Sequence, residues 1–234
     1  MTNDEVSAEL ATALAEMARD LLAQGSLQQT LDRIVRHAVD LVQGCESAGI
    51  MILQGGRVRT LAATDDVVLT SDRIQGEVGQ GPCFDAARTG AESYRIENLN
   101  DQAERWPRYA PRARELGIGS MLGFKLFTEE QNLGALDLYS SRPGALTEHS
   151  ERIGWLLASH AAVAFASARA DADLHIAISS RQDIGMAVGI LMERHKLSAD
   201  QAFAMLSQAS QRRNVKLREI ARRVVDTGEA PEHA

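Results

Sequence analysis

Basic residues are concentrated near the C-terminus of this 234-residue chain. Between Arg194 and Arg223 the sequence has eight basic and two acidic residues, a net charge of +6 within a chain of net charge −7. The basic residues are Arg194, Lys196, Arg212, Arg213, Lys216, Arg218, Arg222 and Arg223. Such a cluster is suited to the phosphate backbone of a nucleic acid. The alternative interpretation is a solvated helix face beside the acidic remainder of the chain.

Short helices are expected to position these charges. Ser198 and Gln201 fit a capping box, which predicts that a helix begins there. The apolar face of that helix would consist of Ala202, Phe203, Leu206 and Ala209. Asn214 is predicted to cap the next helix, whose apolar residues leave Arg218 and Arg222 together on another face. The sequence therefore predicts a small three-helix bundle.

A long helical pattern precedes this bundle. From residue 147 onward, spacings of three and four alternate, which is the period of a coiled-coil seam. The seam positions are Ile153, Leu156, His160, Val163, Ser167, Ala170, Leu174, Ala177, Arg181, Ile184, Val188 and Leu191. Two interpretations are open: one continuous helix that pairs two chains, or a helix packed on its own domain followed by a separate bundle helix.

Two glycines lie within this predicted helix, on the face opposite the seam. Each of Gly185 and Gly189 costs a helix about 1 kcal/mol relative to alanine. A close approach at this face should compensate, either by another helix inside the bundle or by a nucleic-acid backbone.

The first two thirds of the chain combine helical periodicity with short apolar runs. Residues 6–22 and 27–44 have the spacing of amphipathic helices. Apolar runs on either side of Gly55 and Gly56 predict a β-hairpin. Two further apolar runs flank the polar stretch 128–132 and predict a second antiparallel pair of strands.

Two short helices are predicted between these strand pairs. Proline suits the first helical position, so Pro82 predicts a helix over 82–89, and a second is expected over 106–116. The glycine-rich stretch 76–81 lacks the lysine of a phosphate-binding loop and the spacing of a dinucleotide fingerprint, so it is interpreted as a loop. This order of elements is typical of an α+β fold, an antiparallel sheet flanked by helices.

The C-terminal helices also contain a dense motif. It consists of Ile184-Gly185-Met186-Ala187-Val188-Gly189-Ile190-Leu191-Met192, Ser198, Ala202-Phe203, Leu206, Ser210, Asn214, Lys216-Leu217-Arg218 and Ala221. These residues, within 177–225, resemble the ANTAR domain. The resemblance implies an all-α three-helix bundle on a coiled-coil helix. It also implies homodimers that bind paired hairpins in mRNA leaders, so that a transcription terminator does not form.

The resemblance and the charge cluster together indicate the residues for RNA contact. The candidates are Ala187, Gly189, Arg194, Lys196, Ser210, Arg212, Arg213, Asn214, Lys216, Arg218 and Arg222. Two positions depart from the commonest family pattern. Val188 stands where many members have lysine, and Lys196 stands where many have glycine.

A second resemblance covers residues 27–168. It is carried by Gly79-Gln80-Gly81-Pro82-Cys83, Arg105-Trp106-Pro107, Gly119-Ser120-Met121-Leu122 and Leu133-Gly134-Ala135-Leu136-Asp137-Leu138-Tyr139. These segments resemble a GAF sensor domain, which implies a pocket for a small-molecule ligand of unknown identity on one face of the sheet. The pocket candidates are Cys83, Phe84, Trp106, Asp137 and Tyr139.

Cysteine usage and histidine spacing argue against several other classes. Two cysteines, Cys45 and Cys83, are too few for a disulfide-rich secreted scaffold. Cys83, near a predicted helix N-terminus, is a candidate redox thiol or a buried apolar residue. The six histidines have no metal-ligand spacing to an acid or cysteine, so no metal site is expected. The stretch 117–121 lacks the glycine spacing of a nucleophile elbow, and no catalytic site is expected.

The N-terminal residues and the lengths of the apolar runs predict the compartment of the protein. The acidic start does not fit a signal peptide, and apolar runs are too short to cross a bilayer, so a cytoplasmic location without membrane contact is expected.

The whole sequence predicts four segments: an N-terminal helix (1–26), a GAF sensor domain (27–168), an ANTAR RNA-binding domain with its helical stalk (169–228) and a flexible tail (229–234). We expect a non-enzymatic, signal-responsive antitermination regulator, dimeric through the helix around 147–192, that affects RNA polymerase indirectly. The alternatives are a DNA-binding regulator with a GAF sensor, and a GAF-type free methionine sulfoxide reductase.

Overall fold

The computed structural model describes residues 3–82, 84–85, 91–129 and 131–230. The chain forms two compact units, Met1–Arg169 and Ala170–Ala234. The α-helices are α1 (Asn3–Leu22), α2 (Leu27–Leu41), α3 (Asp66–Val78), α4 (Ala110–Glu115), α5 (Glu148–His195), α6 (Ala199–Arg213) and α7 (Leu217–Thr227). The strands are β1 (Ser47–Gln54), β2 (Arg57–Ala63), β3 (Ser93–Ile96), β4 (Ser120–Phe127) and β5 (Asn132–Ser140), and a 3₁₀ turn covers Leu99–Gln102. No described helix has the length and apolar character needed to cross a membrane.

The first unit is built on an antiparallel sheet. Its five strands follow the order β2-β1-β5-β4-β3. Gly55 and Gly56 both have positive φ, +58° and +77°, as a two-residue hairpin turn requires. In the centre of the sheet Ala48 pairs with Leu138, which pairs with Leu122. Helices cover both faces, so alternating residues of each strand enter two different cores.

The two cores differ in polarity. One face packs Ile50, Phe124 and Leu136 against apolar residues of α1, α2 and the first turns of α5. The other face packs against α3, α4 and the 3₁₀ turn, with Trp106 and Tyr109 among its buried residues. Polar side chains are also buried on this face, namely Ser71, Asp72 and Gln75 of α3 and Asp137 of β5.

The predicted α+β fold is confirmed, with both hairpins and the first two helices in place. The interpretation of 76–81 as a loop was wrong at its start, because α3 runs to Val78 and ends at Gly79 with φ +64°. Neither α3 nor β3 was predicted from the sequence. Most of the helix predicted over 82–89 lies outside the described residues, while Pro82, Phe84 and Asp85 are helical.

The long helix is continuous from Glu148 to His195. The predicted seam does not form one uniform surface along it. Ile153 is buried in the first unit and Leu191 in the second, so the two ends of the seam pack within their own units. Between them Val163 is 63% exposed and Leu174 is 58% exposed.

The second unit has the predicted three helices around a small core. The capping box of Ser198 and Gln201 is confirmed, and Ala202, Leu206 and Ala209 are buried as expected. Phe203 was wrongly placed on the apolar face, because it is 46% exposed. The role predicted for Asn214 was also wrong: it ends α6 in the left-handed region at φ +52°, and Lys216 precedes α7 instead.

Candidate functional site

The turn between α6 and α7 brings together an exposed cationic surface. This turn surface consists of Arg212, Arg213, Asn214, Lys216 and Arg218, all of which are exposed. Lys216 and Arg218 form no ion pair with any described residue, so their charges face solvent. The amide N–H groups at the start of α7 receive no side-chain cap, since Lys216 offers no acceptor. Positive side chains and the positive end of a helix dipole therefore coincide at this turn.

The turn surface is held in shape by Ser210. Its hydroxyl donates to the carbonyl of Val215 over 2.6 Å, and the amide of Val215 donates back to the carbonyl of Ser210 over 3.1 Å. With Asn214 in the left-handed conformation, these bonds close the turn. Ser210 therefore positions the cations, and its hydroxyl is already engaged.

Two of the candidate arginines tie helices together. Arg194 of α5 donates to the carbonyl of Gly228, at the end of α7. Arg222 of α7 donates to Asp183 of α5 over 3.4 Å. Both contacts hold α7 against α5, so these guanidinium groups have structural partners inside the unit.

The remaining candidates lie on α5 and at its end. Ala187 is fully buried in the bundle core, so its side chain packs against other helices. Lys196 follows α5 at φ +55°, and its amine is 2.5 Å from Glu193. In the left-handed region glycine, the residue that the ANTAR resemblance implies at this position, has no Cβ to clash. Gly185 and Gly189 face open space, since a Cβ at either would meet nothing within 4 Å. Packing inside the bundle therefore does not explain them.

The first unit contains a cleft of about 310 Å³ on the sheet face that α3 also covers. Met51, Tyr94, Gly123, Lys125 and Ala135 are among its lining residues. The Tyr94 ring lies across Gly123, where a Cβ would come within 2.0 Å of it. Its hydroxyl donates to Asp137 over 2.6 Å, which fixes this wall of the cleft.

The predicted pocket residues that the structure describes do not line this cleft. Asp137 and Tyr139 are buried on β5, and Trp106 is buried in the same core as Tyr139. The Trp106 indole N–H donates to Asp85 over 3.1 Å, and Phe84 is half-buried. Cys83 lies outside the described residues. Asp137 contacts the cleft indirectly, because it accepts the hydrogen bond of Tyr94, which lines the cleft.

A second buried carboxyl, on α3, was not found from the sequence. Asp72 is 2% exposed and Asp137 is 1% exposed. The hydroxyl of Thr60 donates to Asp72 over 2.6 Å, and that of Tyr139 reaches it over 3.5 Å. Burial, with the charge of Asp137 as a smaller cause, raises the pKa of Asp72 to about 7.

No sequence signal marked Asp72, Thr60, Tyr94 or Gly123 as members of one site. They come from α3, β2, β3 and β4, and two of these elements were not predicted. The polar residues Ser71, Asp72 and Gln75 lie on the buried face of α3, which weakens the helical hydrophobic pattern that could have revealed it.

Two family models match the chain. The GAF domain model matches residues 24–166, which is more than half of the sequence, and the ANTAR domain model matches residues 172–225. The chain belongs to the GAF domain family and carries an ANTAR domain. The GAF match supports a sensor role for the first unit, and the ANTAR match supports RNA binding and regulation. No protein of curated function matches the chain.

Several solved structures are similar in fold to this chain. The GAF domain of a phosphoenolpyruvate-protein phosphotransferase from Coxiella burnetii is 20% identical, with a TM-score of 0.55 over 70% of this chain and 96% of that one. The free methionine-R-sulfoxide reductase of Neisseria meningitidis is 12% identical, with a TM-score of 0.54 over 73% and 95%. The Stigmatella aurantiaca phytochrome photosensory core module is 12% identical, with a TM-score of 0.60 over 90% and 46%. At these identities the likeness establishes the fold alone.

Proposed function

We propose that this GAF–ANTAR protein is a signal-responsive antitermination regulator that binds hairpins in nascent mRNA. The observation that carries the proposal is the exposed turn surface within the ANTAR match. Arg212, Arg213, Lys216 and Arg218 fall within seven consecutive residues of an otherwise acidic protein. A dense set of solvated cations on a rigid turn suits a phosphate backbone.

The internal contacts of the second unit support this assignment of roles. Arg194, Arg222 and Ser210 form hydrogen bonds inside the unit, whereas Lys216 and Arg218 point to solvent. RNA contact is therefore assigned to the turn surface, and the other three residues orient it. The open face at Gly189 is compatible with close approach of a backbone, because no side chain projects there.

RNA binding is tested with the full chain and a labelled RNA that carries two short hairpins in tandem. A DNA duplex of matched length is the comparison, and both are titrated across salt concentrations. We expect at least about tenfold tighter binding to the RNA, weakening as salt rises, because phosphate contacts release counterions. Equal affinity for the two would favour the alternative of a DNA-binding regulator.

The homodimer belongs to the same proposal. Along α5, Leu156, Val163 and Leu174 are exposed at coiled-coil spacing. A second copy of the chain that pairs along this segment would bury these side chains. Two turn surfaces in one dimer would engage paired hairpins with higher avidity than either alone.

The dimer is tested by placing charges on the seam. In Val163→Glu/Leu174→Glu, two like-charged carboxylates would meet their copies across the interface, so light scattering should report a monomer instead of a dimer. Ile176→Glu/Ser179→Glu provides a matched control, because both residues are exposed and lie on the helix face away from the seam. Equal masses for the two variants would exclude pairing through this seam.

A sensor role without catalysis agrees with the chemistry of Cys45. Burial raises the pKa of its thiol to about 12, so it holds its proton at neutral pH and is a poor nucleophile. We assign the cleft at Tyr94 and Lys125 to the ligand, whose occupation would act on α5 and the ANTAR unit. RNA polymerase would respond indirectly, through the folding of the transcript.

A further inference from the structure

The contact between α3 and the sheet contains an unusual pair of acids. Asp72 of α3 and Asp137 of β5 are both almost fully buried, and the charge on Asp137 acts on Asp72. Each accepts from a hydroxyl group at 2.6 Å, Asp72 from Thr60 and Asp137 from Tyr94. An ionised carboxylate is poorly solvated in such a place, and a second negative charge nearby adds repulsion.

Two arginines, Arg57 of β2 and Arg73 of α3, line the same groove as Asp72, but neither forms an ion pair with its carboxyl among the described residues. From β5 Asp72 faces Asp137 and the Tyr139 hydroxyl, and from β2 the Thr60 hydroxyl. On the side of α4, Tyr109 is hydrogen-bonded to Ser71 over 2.8 Å. Glu77 of α3 pairs at the surface with Arg112 of α4, 2.9 Å away, and with Arg73 of its own helix, 3.8 Å away.

A groove lies beside Asp72. It has a volume of about 390 Å³, lies between β2 and α3, and is lined by Asp72, Thr60, Arg57 and Arg73. Asp72 is 2% exposed, so its carboxyl lies next to space that solvent can enter.

We propose that Asp72 is a proton-operated switch that sets how firmly α3 docks on the sheet of the sensor unit. With the proton bound, Asp72 is neutral and α3 packs closely beside Asp137. When the proton leaves, a buried carboxylate faces a second acid, and the docked position of α3 loses stability. Because Asp137 also holds Tyr94, the wall of the cleft is coupled to the same event.

The sign of the effect follows from the pKa. In the docked state the pKa of Asp72 is raised to about 7, whereas a carboxyl released to water titrates near 4. The docked state binds more protons between these values, so its stability falls as pH rises from about 4 to about 7.

Hydrogen exchange of the full chain tests this switch. Protection of the α3 amides, corrected for intrinsic exchange rates, should fall about tenfold from pH 6 to pH 8, as linkage to a group with a pKa near 7 requires. In Asp72→Asn, which cannot ionise, protection should change less than about twofold. Asp66→Asn is the matched control: Asp66 is an exposed acid on the same helix, and this variant should keep the wild-type pH dependence.

A second measurement does not depend on any variant. The side-chain carboxyl carbon of Asp72, followed by NMR in the wild-type chain, should titrate with a midpoint near 7. A midpoint below about 5, or equal α3 protection at pH 6 and pH 8, would overturn the proposal. Equal pH dependence in wild type and Asp72→Asn would overturn it as well.

Discussion

Lys216→Ala/Arg218→Ala is expected to bind the tandem-hairpin RNA about 10- to 100-fold more weakly at moderate salt. Each substitution removes one solvated cation that has no ion-pair partner among the described residues, and a lost contact to phosphate costs about 1 kcal/mol or more. The slope of log affinity against log salt should become shallower by about 1.5, since each phosphate contact contributes about 0.7 to 0.9. Fluorescence anisotropy with labelled RNA measures both quantities.

The control for this prediction removes the same charge elsewhere. Arg36 and Arg114 are exposed cations of the first unit, so Arg36→Ala/Arg114→Ala lowers the net charge by the same two units. Its RNA affinity should stay within about twofold of wild type. If both double variants lost affinity equally, general charge and not the turn surface would account for the binding.

Leu206→Ala is expected to destabilise the second unit by about 2 to 5 kcal/mol, the usual cost of removing a buried leucine side chain. Leu206 is 0% exposed in a small core that has eight buried residues among the described part of the chain, so its removal should leave a cavity that the neighbouring helices fill only in part. The α6 and α7 amides should lose protection in hydrogen exchange, while the sheet of the first unit should not. RNA binding should fall with the folded fraction.

Phe203 gives a matched comparison on the same helix. Its side chain is larger than that of Leu206, but it is 46% exposed, so Phe203→Ala should cost less than about 1 kcal/mol. A cost for Phe203→Ala as large as that for Leu206→Ala would mean that Phe203 is buried by an additional contact in solution.

Much of this architecture was predictable because it is encoded locally. A capping box is encoded by four adjacent residues, and the hairpin turn at Gly55 and Gly56 needs only two residues that tolerate positive φ. The charge cluster could also be read directly, because charge depends on composition and not on packing. Family resemblance over 27–168 and 177–225 then agreed with the matches to both domain models.

Other features depended on long-range packing. Asp72, Thr60, Tyr94 and Asp137 are far apart in sequence and meet only because β2, β3 and β5 share one sheet beneath α3. The helix α3 was not predicted because polar residues occupy part of its buried face, and a helix is recognised in a sequence by apolar residues at helical spacing.

The sequence by itself determined the two domains, most of their helices and strands, and the cationic character of the C-terminal region. Only the tertiary structure decided which cations are available for RNA. Arg194 and Arg222 look equivalent to Lys216 and Arg218 in sequence, but they bond to Gly228 and Asp183. The physical reason is that periodicity, caps and charge are local properties, whereas hydrogen-bond partners and burial are set by elements distant along the chain.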